Sequence, residues 1–154
     1  MKKLLFATIA VCSCFIGIIQ AATVQEEVKT VVQAGCDALV GHDTLHWKSF
    51  FTANPTIVDD IPPNFWSGKD AAAKYMKSWD EFVAKGKYSD IKCQYEDSTA
   101  FIQSGKNVYM VFPIKVSLND SNGKIVNDDG VVTIIAVKSI EGKWQIKAMT
   151  FSSK

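Results

Sequence analysis

Two adjacent acids at the end of a short β-prone segment are the residues of this chain best suited to proton transfer. Asp59 and Asp60 follow Thr56-Ile57-Val58 and precede a proline-rich loop. A carboxylate at the mouth of an apolar cavity has a raised pKa because burial disfavours its charged form, so it accepts protons better near neutral pH. Successive strand residues point to opposite faces, so if the strand continues through the two acids, only one of them can enter such a cavity. The alternative is a solvated pair of acids at a strand end.

Two histidines offer a second acid–base group. His42 and His46 lie four residues apart and can share one helix face, which would place His46 near a cavity mouth as an acid or base. The alternative for both is an exposed surface position. Neither belongs to a metal-ligand spacing, so the sequence predicts no metal, and it predicts no cofactor.

Aromatic residues supply an apolar wall with polar tips. Indole and phenol groups give a ligand hydrogen bonds inside an apolar lining, although most of these rings must pack in the core. Tyr109 and Thr133 can contribute hydroxyls only if their strand faces point inward, which alternation permits but does not fix. The candidate ligand-binding residues are Trp66, Tyr75, Trp79, Tyr109, Thr133 and Phe151.

Three helices are predicted in the first half of the mature chain. A capping box at Thr23 opens the first, which stops near Gly41. The second begins at His42-Asp43, carries Phe51 on its apolar side and ends at Asn54-Pro55. A further capping box, Ser67 to Asp70, opens the third, which ends at Gly86.

From Tyr88 onward the apolar period changes from helical to alternating. Four long strands are predicted near 91–95, 108–118, 131–137 and 144–151, and the turn residues between them favour consecutive antiparallel pairing. Pro113 lacks an amide donor and is expected at a bulge or an edge. Short β segments are predicted at 56–59 and around Phe65. The pattern indicates an α+β domain.

The first 22 residues are typical of a secretory signal. A signal peptide is predicted over 1–22, with cleavage after Ala21 or Ala22. The prediction rests on two lysines, an apolar run from Leu4 to Ile19 and the small residues of Gln20-Ala21-Ala22. The alternative is a retained membrane anchor. Apolar residues after Cys14 suit a signal better than a lipoprotein site. The prediction is a bacterial, exported protein, periplasmic or secreted, with a single domain at 23–154 and no membrane association after cleavage.

Charge and cysteine content exclude some partners. All 17 basic residues are lysines, against 16 acidic residues, so there is no arginine fork for phosphate and no basic excess for nucleic acid. Cys36 and Cys93 can form one disulfide or remain as two buried thiols. Their helical and strand patterns slightly favour the thiols.

The element order and two local motifs resemble the nuclear transport factor 2-like superfamily, in particular its SnoaL-like members. The motifs are Trp66-Ser67-Gly68 leading into Asp70-Ala71-Ala72, and Gly142-Lys143-Trp144-Gln145-Ile146. The resemblance implies a cone-shaped roll, in which a curved, mostly antiparallel sheet wraps around three N-terminal helices. It also implies an apolar cavity at the open end and a homodimer through the outer sheet face.

Ketosteroid isomerases share that fold, and the segment from Thr56 to Gly68 is similar to theirs in spacing. The resemblance implies that Asp59 falls at the position of their general base. It also implies a phenol near Gly35 or Cys36 and a second carboxylic acid near Ala136, and this sequence has neither. Without donors to stabilise an enolate oxygen, a steroid isomerase of the usual mechanism is not expected.

Three functions follow from these observations. The first is an exported binding module whose cavity accepts a small apolar molecule, whose sheet forms a homodimer, or both. The second is an isomerase or polyketide-cyclase-type enzyme in which Asp59, with His46 or a tyrosine, transfers a proton. The third is a protein-interaction or accessory factor. Whether the chain is an enzyme stays open at this point.

Overall fold

The computed structural model describes residues 23–154. The signal peptide predicted for 1–22 lies outside these residues. Among the described residues, no helix combines the length and the apolar character that a membrane crossing requires.

Three helices within residues 23–154 pack against one face of the sheet. The described part of α1 covers residues 23–40, α2 covers Thr44–Ser49 and α3 covers Ala71–Gly86. Helical spacing gives each long helix one apolar stripe, and this stripe is the part of the helix that is buried in the core.

Eight strands form a single sheet in the order β2-β1-β8-β7-β5-β3, with β4 and β6 also paired to β5. Every pairing is antiparallel except that of β1 with β8, which is parallel. The strands are β1 Phe51–Val58, β2 Phe65–Ser67, β3 Ser89–Tyr95, β4 Ala100–Ser104, β5 Asn107–Asn119, β6 Ile125–Asn127, β7 Gly130–Lys138 and β8 Trp144–Ser153.

Alternate residues of the long strands face the helices. In β5 alternate residues from Val108 to Ile114 are buried, and β7 repeats the pattern from Val132. One face of the sheet therefore closes over the helices, while the other is the outer face. The α+β class and the consecutive antiparallel pairing of the four long strands are confirmed.

The predicted extent of the second helix is wrong. That helix ends at Ser49, and Phe51 opens β1 instead of continuing the apolar side of α2. Phe51 pairs with Ile146 of β8, whose amide donates to the carbonyl of Phe50 at 2.7 Å. Local helical spacing is overridden here by pairing to a distant strand. Pro55 lies inside β1, where the β1–β8 register is irregular.

The third helix ends at Gly86, as predicted, but it begins at Ala71 without the predicted capping box. Asp70 is its N-cap, but its side chain makes no capping hydrogen bond. At the other end the left-handed residue is Lys87, with φ 50°, so Gly86 is the last helical residue. Glycine is required at 86 for a different reason, because a Cβ there would collide with the ring of Tyr88.

Pro113 lies where β5 changes neighbours. Val111 pairs with β4 and Ile114 pairs with β3, while residues 96–99 between those two strands are not in strand conformation. Glu96 donates its amide to the Pro113 carbonyl at 3.0 Å. The missing amide of the proline thus falls at a break in the neighbouring strand, which is the irregularity expected from the sequence.

Cys36 of α1 and Cys93 of β3 form a disulfide, with 6.3 Å between their Cα atoms. The preference for free thiols is wrong, because α1 crosses directly over β3. Gln33, one helical turn before Cys36, donates to the Cys93 carbonyl at 3.1 Å and accepts from the Tyr95 amide at 3.0 Å. These contacts hold the helix on the strand and bring the two sulfurs together.

Candidate functional site

A cavity of about 170 Å³ lies between the helices and the inner face of the sheet. The Cys36–Cys93 disulfide forms part of its wall, together with aliphatic side chains of β5, β7 and β8. Three carboxylates line it, namely Asp59, Asp60 and Asp128. Six aromatic rings line it as well: Trp47, Tyr75, Trp79, Phe82, Tyr95 and Phe151.

Asp59 follows the last residue of β1 and is only 7 % exposed. Its Oδ2 accepts a hydrogen bond from the Tyr75 hydroxyl at 2.8 Å, and its Oδ1 accepts from the Ile61 amide at 3.0 Å. Its own amide donates to the Asn64 carbonyl at 3.2 Å. The Asn64 side chain donates to the Asp59 carbonyl, at 3.1 Å. The tight loop after β1 thus fixes the carboxylate at the cavity wall.

The electrostatic surroundings of Asp59 oppose its charge. Burial is the main cause that raises its pKa; the hydrogen bonds from Ile61 and Tyr75 act against this, and the charges of Asp60 and Asp128 act with it. Burial and the charges of Asp60 and Asp129 also raise the pKa of Asp128. No lysine or histidine among the described residues lines the cavity. The site therefore contains a buried carboxylate that no cation within residues 23–154 balances.

Two tyrosines near Asp59 stay protonated. Burial first, and then the charge of Asp59, raise the pKa of both Tyr75 and Tyr95. The Tyr75 hydroxyl is already donated to Asp59, whereas the Tyr95 hydroxyl makes no hydrogen bond within 23–154. The indole N–H of Trp79 is buried and also lacks an acceptor there. Two residues of the cavity wall, Tyr95 and Trp79, thus each have a polar group without a hydrogen-bond partner among the described residues.

A stack of rings holds Tyr75 in place. Trp47 stacks on it with centroids 5.6 Å apart, and Trp66 meets its edge at 5.0 Å. Trp47 is itself anchored, because its indole nitrogen donates to the Ala72 carbonyl at 2.9 Å. These contacts direct the Tyr75 hydroxyl towards Asp59.

The structure brings four of the predicted site residues together. Asp59, Tyr75, Trp79 and Phe151 all line the cavity. Of the two adjacent acids it is Asp59 that is buried, while Asp60 is exposed and accepts a hydrogen bond from the Ser153 hydroxyl at 2.6 Å.

Three predicted ligand-binding residues lie elsewhere. Trp66 is buried behind Tyr75 and does not reach the cavity. Tyr109 and Thr133 lie on the outer face of the sheet, because their strand neighbours Val108 and Val132 point inward. Tyr109 and Thr133 were selected on the condition that their strand faces point inward, and this condition is not met.

The histidines also lie outside the cavity. His46 is exposed on α2, with its ring 4.7 Å from that of Phe50, so it cannot act as the acid or base of this site. His42 contacts Asp80 through Nδ1 at 2.6 Å on the surface. Among residues 23–154, no three His, Cys, Asp or Glu side chains converge as a metal site would require.

Sequence reasoning missed Trp47, Tyr95 and Asp128 as lining residues. Tyr95 had a usable signal, since it alternates with Cys93 in β3 and so shares the inward face of that strand. Asp128 had none, because it lies in the loop between β6 and β7 and β6 was not predicted.

The matches found are at the level of structure. No family model matches the sequence, and no curated protein matches it. A nuclear transport factor 2-like superfamily protein from Salmonella enterica superposes with a TM-score of 0.70 at 16% identity, covering 86% of this chain and 92% of that one. A ketosteroid isomerase-like protein from Erwinia carotovora atroseptica gives 0.64 at 16% identity, with coverages of 84% and 95%.

A third similar structure is ActVI-ORFA from Streptomyces coelicolor. Its TM-score is 0.70 at 11% identity, and the match covers 86% of this chain and 98% of that one. Identities this low establish the shared fold and leave the function to be argued from the site itself.

Proposed function

This chain has the nuclear transport factor 2-like, ketosteroid isomerase-like fold, and from that premise we propose that the cavity beside Asp59 binds a small, mostly apolar molecule. Its volume of about 170 Å³ suits such a ligand, since an apolar cavity of about 150 Å³ accepts benzene. Ligand sites generally combine an apolar wall with a few convergent polar groups. Asp59, Tyr75 and Tyr95 supply those groups here.

The observation that carries the proposal is the burial of Asp59 without a cation. Burying a charge that no opposite charge balances costs stability, and a purely structural core has no reason to retain it. A carboxylate kept in an aromatic cavity at such a cost is characteristic of binding and catalytic sites.

The experiment compares two adjacent substitutions in β5. Val116→Phe fills the cavity, whereas Ser117→Phe adds the same ring to the neighbouring position, which does not line it. Native mass spectrometry of protein purified from its source is expected to show a bound small molecule in the wild type and in Ser117→Phe, and none in Val116→Phe.

NMR of the cavity methyl groups gives a second measure. Toluene or indole is expected to shift the signals of Val132 and Met149 in the wild type. Absence of a bound mass together with unshifted methyl signals would contradict the proposal.

A second function, proton transfer by Asp59, is favoured by the same carboxylate. Its raised pKa suits a general base, and the unengaged Tyr95 hydroxyl is a donor for a developing oxyanion. Neither donor position expected from ketosteroid isomerases supplies one, because Cys36 is in a disulfide and Ala136 is a buried alanine. The reaction would be of the isomerase or polyketide-cyclase type on a carbonyl substrate, without His46.

Deuterium exchange tests this second function. Wild-type protein in D₂O is expected to accelerate exchange of the α-protons of a small ketone such as acetophenone, and Asp59→Asn is expected to lose about 10²-fold or more of that rate. Equal rates for the two proteins would contradict a catalytic role for Asp59.

We further propose a homodimer through the outer face of the sheet. Ile102 is 63% exposed, Tyr109 38% and Ile135 39%, and strand pairing places the three in one row, Ile102 beside Tyr109 and Tyr109 beside Ile135. A contiguous exposed apolar row is a common contact surface. Light scattering should give twice the chain mass for the wild type and the single-chain mass for Ile135→Lys.

Export remains part of the proposal. N-terminal sequencing of the protein from its source should begin at Ala22 or Thr23. A sequence that begins at Met1 would contradict cleavage.

A further inference from the structure

We propose that the ligand of the cavity is a small organic cation, an amine with an apolar body; this rests on the proposed function that the cavity binds a small molecule. The cavity wall combines three carboxylates, Asp59, Asp60 and Asp128, with aromatic rings, and it contains no basic side chain among the described residues. A protonated amine supplies the charge that this lining lacks.

The three carboxylates are unbalanced within the described part of the chain. No ion pair there includes Asp59, Asp60 or Asp128. Other acids nearby are paired, as Glu96 is with Lys115 at 2.5 Å. Positive charge is thus available in this region of the surface, yet none of it lines the cavity.

Neighbouring acids disfavour the charge of both Asp59 and Asp128. Asp60 and Asp128 both act on Asp59, and Asp129 together with Asp60 acts on Asp128. A cation between them would relieve this repulsion, whereas an anion would add to it and a neutral molecule would leave it unchanged.

The aromatic wall suits the rest of such a molecule. Ring faces attract a positive charge and also pack against apolar groups. A benzylammonium ion fits the pattern, with its ring among the aromatic residues and its nitrogen near Asp59. The rings concerned are Trp47, Tyr75, Trp79, Phe82, Tyr95 and Phe151.

The proposal predicts the sign of the pH dependence. The groups that face Asp59 are Asp60, Asp128, Tyr75 and Tyr95, and the tyrosines stay neutral. An ammonium ion binds the ionised acids, so its affinity should rise as pH increases through the raised pKa of Asp59 and level off above it. A neutral ligand that needs a protonated acid would show the opposite trend.

Three probes of similar shape and different charge test the inference. Isothermal titration calorimetry of the purified protein at pH 7.5 would compare benzylamine, benzyl alcohol and benzoate. Benzylamine is expected to bind about tenfold or more tighter than benzyl alcohol, as a close charge pair permits, and benzoate is expected to show no binding.

The outcomes separate this inference from the proposed function. Equal affinities for the amine and the alcohol, or preferred binding of benzoate, would overturn the inference that the ligand is a cation. The proposal that the cavity binds a small molecule would still stand. If none of the three probes binds, and phenethylamine and phenethyl alcohol, which are one carbon longer, do not bind either, both the cation inference and the proposed function are contradicted.

Two variants provide the controls. Asp128→Asn removes one charge at the partly exposed edge of the cavity and should weaken the binding of benzylamine several-fold more than that of benzyl alcohol. Glu141→Gln removes a surface charge that does not line this cavity and should change neither. An equal loss in both variants would overturn the inference.

Discussion

Two carboxylates of this protein each accept a hydrogen bond from an aromatic side chain, and their surroundings differ completely. Glu27 of α1 accepts from the indole of Trp144 at 2.7 Å, and Asp59 accepts from the phenol of Tyr75 at 2.8 Å. The hydrogen bond from Trp144 and then that from Lys138 lower the pKa of Glu27, whereas burial raises the pKa of Asp59. The hydrogen-bond donors are similar, so the surroundings of each carboxylate decide whether its pKa is raised or lowered.

This difference distinguishes Glu27, which stabilises the fold, from Asp59, which belongs to a candidate site. Lys138 reaches Glu27 at 3.3 Å and lies 5.3 Å from the centre of the Trp144 ring, so the acid is balanced and links α1 to β7 and β8. Asp59 has no such partner in the described part of the chain, and it faces a cavity. An acid with its charge balanced stabilises the fold, while one left unbalanced in a cavity is available to a ligand.

The largest expected effect comes from cutting the disulfide beside the Asp59 site. Replacing both Cys36 and Cys93 by serine removes a cross-link across 57 residues of sequence, and a loop of that size corresponds to about 4 kcal/mol of unfolding free energy. Urea unfolding would measure the loss. The pKa of Asp59 should also fall towards its ordinary value as the wall loosens, and that of Glu27 should stay in place.

A loss below about 1 kcal/mol would show that α1 is held on β3 without the cross-link. If the pKa values of Asp59 and Glu27 changed in the same way in the double variant, the proposed distinction between the two acids would be contradicted.

Removing the phenol from Asp59 should have the next largest effect. Tyr75→Phe keeps the ring stack and deletes one donor to a buried carboxylate, which costs about 1–3 kcal/mol. The same substitution at Tyr109, on the outer face, is the matched control and should cost nearly nothing. Chemical denaturation of both variants checks this, and equal losses would contradict the role assigned to Tyr75.

Neutralising each acid in turn should shift thermal stability in opposite directions at pH 7. The raised pKa of Asp59 means that wild-type stability falls as pH rises through that pKa, so Asp59→Asn should raise Tm by a few degrees. The lowered pKa of Glu27 means the reverse, so Glu27→Gln should lower Tm by about 1–3 °C. Calorimetry at pH 7 and pH 3 tests both, because each difference should shrink in acid. Shifts of the same sign at pH 7 would contradict the comparison.

The smallest expected effect is that of salt. Raising NaCl to about 1 M screens the exposed Lys138 and Glu27 pair, so the pKa of Glu27 should move up towards its ordinary value. The main cause at Asp59 is burial, which salt does not screen, so its pKa should change less. A carbon-detected NMR titration at two salt concentrations measures both, and a larger change at Asp59 would point to exposure of that carboxylate.

The fold was more predictable than the site. Strand periodicity and turn residues predicted the four long strands, because both signals are local. The end of α2 and the start of β1 were not predictable in this way, since Phe51 is held by pairing with Ile146 nearly a hundred residues later. The disulfide was missed for the same reason.

Within the site, the resemblance to ketosteroid isomerases pointed to Asp59, and ring chemistry pointed to Tyr75 and Trp79. The sequence did not determine which face of a strand each residue occupies. Tyr109 and Thr133 satisfy the same chemical criteria as Tyr95 but lie on the outer side of their strands, and a one-residue change of register would reverse that assignment.

The most direct test of the account is a carbon-detected NMR titration of the carboxyl groups of Asp59 and Glu27 in the wild-type protein at low salt. We expect a pKa above the ordinary range for Asp59 and below it for Glu27, in the same sample. An Asp59 pKa at or below its ordinary value would mean that the carboxylate is solvated or balanced by a cation, and the cavity would lose the property on which its proposed function rests.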